Sequence, residues 1–157
     1  MRLGWLLSAE EIVQRCVDCG TTQMGGGANP FVAQMVAAYC RSGAWEPHIQ
    51  RLRSLYNMRR DRALAALGQY MPAGVRWTHP AGGFFVWLTL PQHVLAREVQ
   101  RLALQQGVEV AAGEGFYAHP DQGAHHLRLT YSCASPDDIE TGIRVLAQVI
   151  QGLIATR

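Results

Sequence analysis

Residues 127–132 read LRLTYS, and the strict alternation of apolar and polar side chains predicts a β-strand with one buried face. The apolar set is Leu127, Leu129 and Tyr131. The polar set is Arg128, Thr130 and Ser132. An arginine in mid-strand between hydroxyl residues offers a carboxylate a rigid two-pronged donor. Its position alone leaves a second interpretation open, the solvated outer face of an antiparallel sheet.

The segments around this strand predict a helix-backed sheet. Ser135 and Pro136 begin a helix with 4-3-4-3 apolar spacing, and Gly107 ends another over residues 94–106. Further strands are expected at residues 75–78, 84–90 and 108–110, and Pro47 is expected to open a long helix. We therefore expect an α+β layer with an antiparallel or mixed sheet. At least two of three aromatic residues should lie in its core: Phe84, Phe85 and Trp87.

The first 44 residues have a different pattern. Leu3 to Leu7 is an apolar run of buried-strand length, followed by Ser8 as a possible N-cap of a helix that ends near Gly20. Residues 21–28 are expected to form a loop, and Asn29-Pro30 should start a second helix that stops at residues 42–43. Such a βαα fragment needs other strands with which to pair.

Composition excludes several classes of protein. The 157 residues are 48% hydrophobic and 17% charged with a formal net charge of +2, typical of a globular domain, and too weakly basic to predict nucleic-acid binding. No segment has the length of a membrane span or the pattern of a signal peptide. We expect a cytoplasmic protein with reduced cysteines. All 14 basic residues counted as Lys and Arg are arginines, so lysine is absent.

Two motifs suggest ligand sites only weakly. Cys16 and Cys19 have C-x-x-C spacing, and His125-His126 could complete a zinc site, but no second metal-binding pair follows. We expect no metal, and free thiols that are buried or half-buried. Gly25-Gly26-Gly27 is expected to be a flexible connector, with an anion site as the alternative.

Five motifs resemble, in order and at matching spacings, those of fold-type I pyridoxal-phosphate aminotransferases. The resemblance runs essentially from end to end and is to the class I/II branch that includes 2-aminoadipate transaminases. The motifs are Glu46-Pro47-His48-Ile49, Tyr56-Asn57-Met58-Arg59-Arg60-Asp61, Pro80-Ala81-Gly82-Gly83-Phe84-Phe85-Val86-Trp87-Leu88, Gly113-Glu114-Gly115-Phe116 and residues 127–132. The opening Arg2-Leu3-Gly4-Trp5 is similar to the end of a further family segment.

The resemblance implies both an architecture and a site. Residues 1–44 would be the end of the cofactor-binding large domain, with its last strand and helices, and residues 45–157 would be the C-terminal small domain. Arg128 matches the arginine that binds the substrate α-carboxylate, and Arg2 matches the arginine that pairs with the cofactor phosphate. Gly82 and Gly83 match glycines that permit positive φ. Ala112 departs from the usual proline, so the shape of the following loop is open.

The resemblance also implies a parent enzyme that uses pyridoxal 5'-phosphate and binds an amino acid and a 2-oxo acid as a homodimer. For Gly25-Gly26-Gly27 it adds a dimer contact as a further alternative. Because the Schiff-base lysine is absent, no catalytic residue is predicted, and the chain alone should not bind the cofactor covalently. In the family that lysine would lie a few residues before Met1. Two alternatives remain: the ligand-sensing domain of a GntR-type transcription regulator, and a non-catalytic dimerisation or binding module.

Overall fold

A computed structural model describes residues 3–25 and 29–156. The chain divides into two compact units, Met1–Arg51 and Leu52–Arg157. The expected division into a large-domain remnant of residues 1–44 and a small domain of residues 45–157 stays a prediction, because compactness does not identify the parent domains.

The first unit is helical. It contains α1 (Glu10–Val17), α2 (Gly20–Gln23) and α3 (Pro30–Arg41), and α4 (Trp45–Tyr70) begins in it and continues into the second unit. Asn29 caps α3 as predicted, since its side-chain oxygen accepts hydrogen bonds from the N–H groups of Phe31 at 3.1 Å and Val32 at 3.3 Å. None of the residues described between 3 and 51 is buried.

The second unit holds a four-stranded antiparallel sheet. The strands are β1 (Arg76–Trp77), β2 (Phe85–Thr89), β3 (Ala111–Ala112) and β4 (His126–Thr130), in the spatial order β1-β2-β4-β3. Two further helices are α5 (Ala96–Gln105) and α6 (Pro136–Ala155). Ser135 caps α6 as predicted, because its hydroxyl accepts a hydrogen bond from the N–H of Asp138 at 3.1 Å.

One face of this sheet forms the core. Leu127 and Leu129 of β4 are buried with Val86 and Leu88 of β2, which confirms the alternation predicted for residues 127–132. Helical residues complete the core from one cluster: Ala63, Leu67, Val99, Ala103, Ile139, Ile143, Leu146 and Ile150. The predicted helix-backed α+β layer is therefore confirmed, and its opposite sheet face is left for other side chains.

Several predictions in the first unit were wrong. Leu3 to Leu7 forms no strand, because a strand needs a hydrogen-bonding neighbour and no described residue pairs with it. The N-cap of α1 is Ala9 rather than Ser8. Part of the predicted loop is α2, whose Thr22 hydroxyl donates a hydrogen bond to the carbonyl of Cys16 at 2.9 Å. Cys16 and Cys19 are exposed rather than buried or half-buried.

Corrections in the second unit have local causes. The strand expected at residues 108–110 forms instead as β3, at Ala111–Ala112. Val108 caps the end of α5, because its N–H donates a hydrogen bond to the carbonyl of Ala103 at 2.9 Å. Likewise α4 begins at Trp45, two residues before Pro47. Phe84 and Phe85 are exposed, and Trp87 is half-buried. The pleat of β2 explains Phe85 and Trp87, because successive side chains alternate between the two faces and Val86 and Leu88 occupy the core side.

Candidate functional site

The open face of the sheet carries the candidate site. Phe85 and Trp87 point to this face from β2, as do Arg128 and Thr130 from β4. The antiparallel register places Trp87 opposite Arg128 and Phe85 opposite Thr130. Neighbouring strands therefore bring the predicted carboxylate-binding arginine beside two aromatic residues.

Arg128 lies over the faces of two aromatic rings. Its Cζ atom is 4.2 Å from the ring centroid of Phe85 and 4.4 Å from that of Phe116. Such contacts attract a cation electrostatically, but they do not occupy its N–H donors with strong acceptors. Within residues 3–25 and 29–156, no carboxylate forms an ion pair with Arg128. A half-buried guanidinium of this kind can accept an anionic ligand.

The turn before β2 orients Phe85. Gly83 has φ +86°, which confirms its predicted conformational role, whereas Gly82 does not have positive φ and that part of the prediction was wrong. The carbonyl oxygen of Gly83 accepts a hydrogen bond from the hydroxyl of buried Tyr131 at 3.0 Å. Arg60 donates to the carbonyl of Ala81 at 2.7 Å. Both bonds hold this turn against the rest of the second unit.

A close backbone approach positions Phe116. Phe116 ends a 3-10 helix, Gly113–Phe116, whose first residue has no room for a side chain. A Cβ atom on Gly113 would lie 2.6 Å from the carbonyl oxygen of Gly123 and 2.7 Å from Cβ of His126. Ala112 has φ −68°, the value to which proline is restricted, so the departure from proline leaves this backbone angle unchanged.

Further aromatic rings extend the site along the sheet. The ring centroid of Trp87 lies 5.6 Å from that of Phe116, 6.0 Å from Tyr117 and 5.7 Å from His126. The His126 ring, considered above for zinc, also stacks on Tyr117 and lies 3.3 Å from the hydroxyl oxygen of Thr89. Sequence reasoning missed Phe116 and Tyr117 as site residues. The site residues on the two strands could have been found from the sequence, because residues 85, 87 and 89 alternate to the same face as residues 126, 128 and 130 on the paired strand.

A cleft of about 560 Å³ adjoins Arg128. Its walls come from β4, from the segment before β3 and from the start of the loop to α6: Gln100, Glu109, Val110, Ala111, Arg128, Thr130, Cys133 and Ala134. Gln100 donates a hydrogen bond to the carbonyl of Val110 at 2.8 Å, which ties α5 to this wall. Arg128 therefore lines a space large enough for a small molecule.

Other predicted site features are not brought together. Arg2, the predicted cofactor-phosphate residue, lies outside the described residues, as does most of Gly25-Gly26-Gly27. In the part of the chain that the structure describes, no three His, Cys, Asp or Glu side chains are grouped to hold a metal ion. No described helix is long and apolar enough to cross a membrane.

Comparison with known proteins identifies the family. The profile described as "Aminotransferase class I and II" matches residues 1–146. The chain belongs to this aminotransferase family. Its sequence is 32% identical over 150 residues to Aromatic-amino-acid aminotransferase 1 of Thermococcus litoralis, an alignment that covers 96% of this chain and 36% of that protein.

Two more similar proteins are informative. An uncharacterized HTH-type transcriptional regulator of Bacillus subtilis, YdfD, is 29% identical over 98% of this chain and 31% of its own length. The crystal structure of LysN, the alpha-aminoadipate aminotransferase of Thermus thermophilus, matches this chain with a TM-score of 0.83 at 29% identity. That match covers 96% of this chain and 38% of LysN. The chain thus spans about a third of the length of the relatives it matches.

Proposed function

We propose that this chain is the C-terminal part of a pyridoxal-phosphate-dependent aminotransferase and that Arg128 binds the α-carboxylate of the amino acid or 2-oxo acid substrate. The observation that carries the proposal is the guanidinium of Arg128, held 4.2 Å and 4.4 Å from two ring centroids with no described carboxylate as its ion-pair partner. The family match supplies the reaction class.

The carboxylate-binding role follows from charge and geometry. A planar guanidinium can donate two parallel hydrogen bonds to the two oxygens of one carboxylate. The rings of Phe85 and Phe116 lie against the guanidinium and cover part of it with apolar surface, and a less hydrated charge attracts an anion more strongly. Trp87 and Tyr117 extend the apolar wall beside it. Arg128 therefore orients one end of the substrate.

The cofactor belongs to the longer parent protein in this proposal. Pyridoxal 5'-phosphate, when bound, supplies the electron sink for amino-group transfer, and it requires a lysine amine that this chain does not contain. The described residues of this chain thus fit the substrate end of the site and not the covalent attachment of the cofactor. We infer a parent that is cytoplasmic and homodimeric, without nucleic-acid or membrane partners. The chain alone is expected to be inactive.

A binding experiment tests the role of Arg128. In the 157-residue chain labelled with ¹⁵N-arginine, addition of 2-oxoglutarate should shift the Nε–H resonance of Arg128 saturably. Measured by calorimetry, Arg128→Lys should weaken binding of 2-oxoglutarate roughly tenfold, because a point charge replaces a two-pronged donor. Arg76→Lys is the matched control, since Arg76 is an exposed arginine on edge strand β1 of the same sheet. Equal losses in both variants would remove Arg128 from the proposed site.

An activity measurement tests whether amino-group transfer requires the rest of the parent protein in addition to this chain. The 157-residue chain, supplied with pyridoxal 5'-phosphate, an amino acid and a 2-oxo acid, should show no amino-group transfer. The same assay should detect transfer when the preceding part of the parent is included. Turnover by the 157-residue chain alone would contradict the proposal.

A second candidate is a regulator that uses an aminotransferase-like domain to sense a ligand. The observation behind it is the similarity to YdfD over 98% of this chain. The genomic DNA before the first codon distinguishes the two: an in-frame cofactor domain with its lysine is expected for the enzyme. An additional in-frame helix-turn-helix domain would instead establish the regulator. A non-catalytic module would lack the cofactor lysine whether or not a helix-turn-helix domain is present.

A further inference from the structure

Two exposed thiols lie at the junction of α1 and α2. Cys16 is in the last turn of α1, and Cys19 directly precedes α2. Both are free and exposed. Val17 is helical and Asp18 has φ −81° and ψ −4°, so the chain from Cys16 to Cys19 follows a helical turn. Helix geometry then separates the two Cα atoms by roughly 5 Å, within the range that a disulfide spans.

Thr22 contacts both cysteines. Its hydroxyl donates a hydrogen bond to the carbonyl oxygen of Cys16 at 2.9 Å, and the same oxygen lies 3.2 Å from Sγ of Cys19. The hydroxyl of Thr22, with its one proton turned from the Cys16 carbonyl to Sγ, and then the Thr22 N–H lower the pKa of the Cys19 thiol from its ordinary value, against a smaller opposing effect of burial. The thiolate, rather than the thiol, is the nucleophile in disulfide exchange, so Cys19 is suited to react first.

We propose that Cys16 and Cys19 form a reversible dithiol–disulfide pair that is oxidised by low-molecular-weight disulfides. The Cys19 thiolate attacks one sulfur of the small disulfide, forms a mixed disulfide and releases the first small thiolate. The Cys16 thiolate then attacks Sγ of Cys19 and releases the second. Two protein thiols are thereby oxidised to one disulfide, and one small disulfide is reduced to two thiols. This assignment uses no residue of the Arg128 site.

Mass spectrometry after exposure to oxidised glutathione tests the pair in the 157-residue chain. The expected product is a monomer lighter by two hydrogens, with a peptide that links Cys16 to Cys19 and with Cys40 and Cys133 still open to alkylation. Persistent glutathione adducts on the unaltered chain, a disulfide between two chains, or four unreacted thiols would each overturn the proposal.

Matched variants assign the two steps. In Cys16→Ser the reaction should stop at a stable glutathione adduct on Cys19, because the resolving thiol is absent. Thr22→Val should slow alkylation of Cys19 at neutral pH several-fold, because it removes the hydroxyl that lowers the pKa of the thiol and so reduces the thiolate fraction. Thr21→Val is the control, since the Thr21 side chain makes no described contact with either sulfur. Equal slowing in both variants would contradict the role of Thr22.

Discussion

The two compact units use similar apolar residues with opposite results. Between residues 52 and 156, apolar side chains from the sheet and from α4, α5 and α6 form one buried core. In the first unit no described residue is buried, and Trp5 and Leu7 are 83% and 95% exposed. An apolar run therefore gives a core only where other elements cover it, and helix caps alone do not bury it. The first unit has helix caps and apolar runs, but its described residues form no buried core.

The largest expected difference between the units is the effect of truncating a leucine. Leu127→Ala removes a fully buried side chain of β4 and should lower the free energy of unfolding by about 2–5 kcal/mol. Leu7→Ala, the matched change in the first unit, should alter it by less than about 0.5 kcal/mol. Denaturant unfolding followed by tryptophan fluorescence measures both. A loss from Leu7→Ala comparable to that from Leu127→Ala would show that the first unit shares the core.

The two N-caps provide a finer comparison. Ser135→Ala removes the cap of α6, which contributes six residues to the buried set, and should lower the free energy of unfolding by about 1 kcal/mol. Asn29→Ala removes a cap with two hydrogen bonds from α3, which has no buried residue. It should reduce helix content in circular dichroism and leave the unfolding midpoint unchanged. A midpoint shift as large as that of Ser135→Ala would show that α3 unfolds with the core.

The smallest expected effect is on alkaline stability. Burial raises the pKa of Tyr131 above its ordinary value of 10.0. Because the folded pKa is raised, this contribution to stability is present below about pH 10 and is lost as the pH rises through the folded pKa. Tyr131→Phe should therefore flatten the fall in the free energy of unfolding above pH 10, although it also removes the hydrogen bond to Gly83. An unchanged alkaline slope would contradict the assignment to Tyr131.

Local signals predicted much of this fold. Asn29 and Ser135 started the helices that they were expected to start, and Gly107 ended α5 with φ +79°. These features depend on residues within one or two turns of each other. The alternation in residues 127–132 also identified the inward and outward faces of β4 and placed Arg128 on the open face.

Features that depend on distant partners were not predictable from local signals. Leu3 to Leu7 has strand composition, but no described residue pairs with it to form a strand. At least two of Phe84, Phe85 and Trp87 were expected in the core because aromatic residues usually are buried. Only the pairing of β2 with β4 shows that Phe85 faces Arg128. Phe116 reaches the same guanidinium through the close approach of Gly113 and Gly123, for which the sequence carries no periodic pattern.

Amide hydrogen exchange of the 157-residue chain, read residue by residue, tests most directly the claim that only the second unit has a core of its own. Amides in β2, β4 and α6 should exchange only through global unfolding, and those in α1 and α3 should exchange faster by orders of magnitude through local opening. The buried residues of α6 and their absence from α1 and α3 are the physical reason. Equal protection of α1, α3 and β4 would contradict this account.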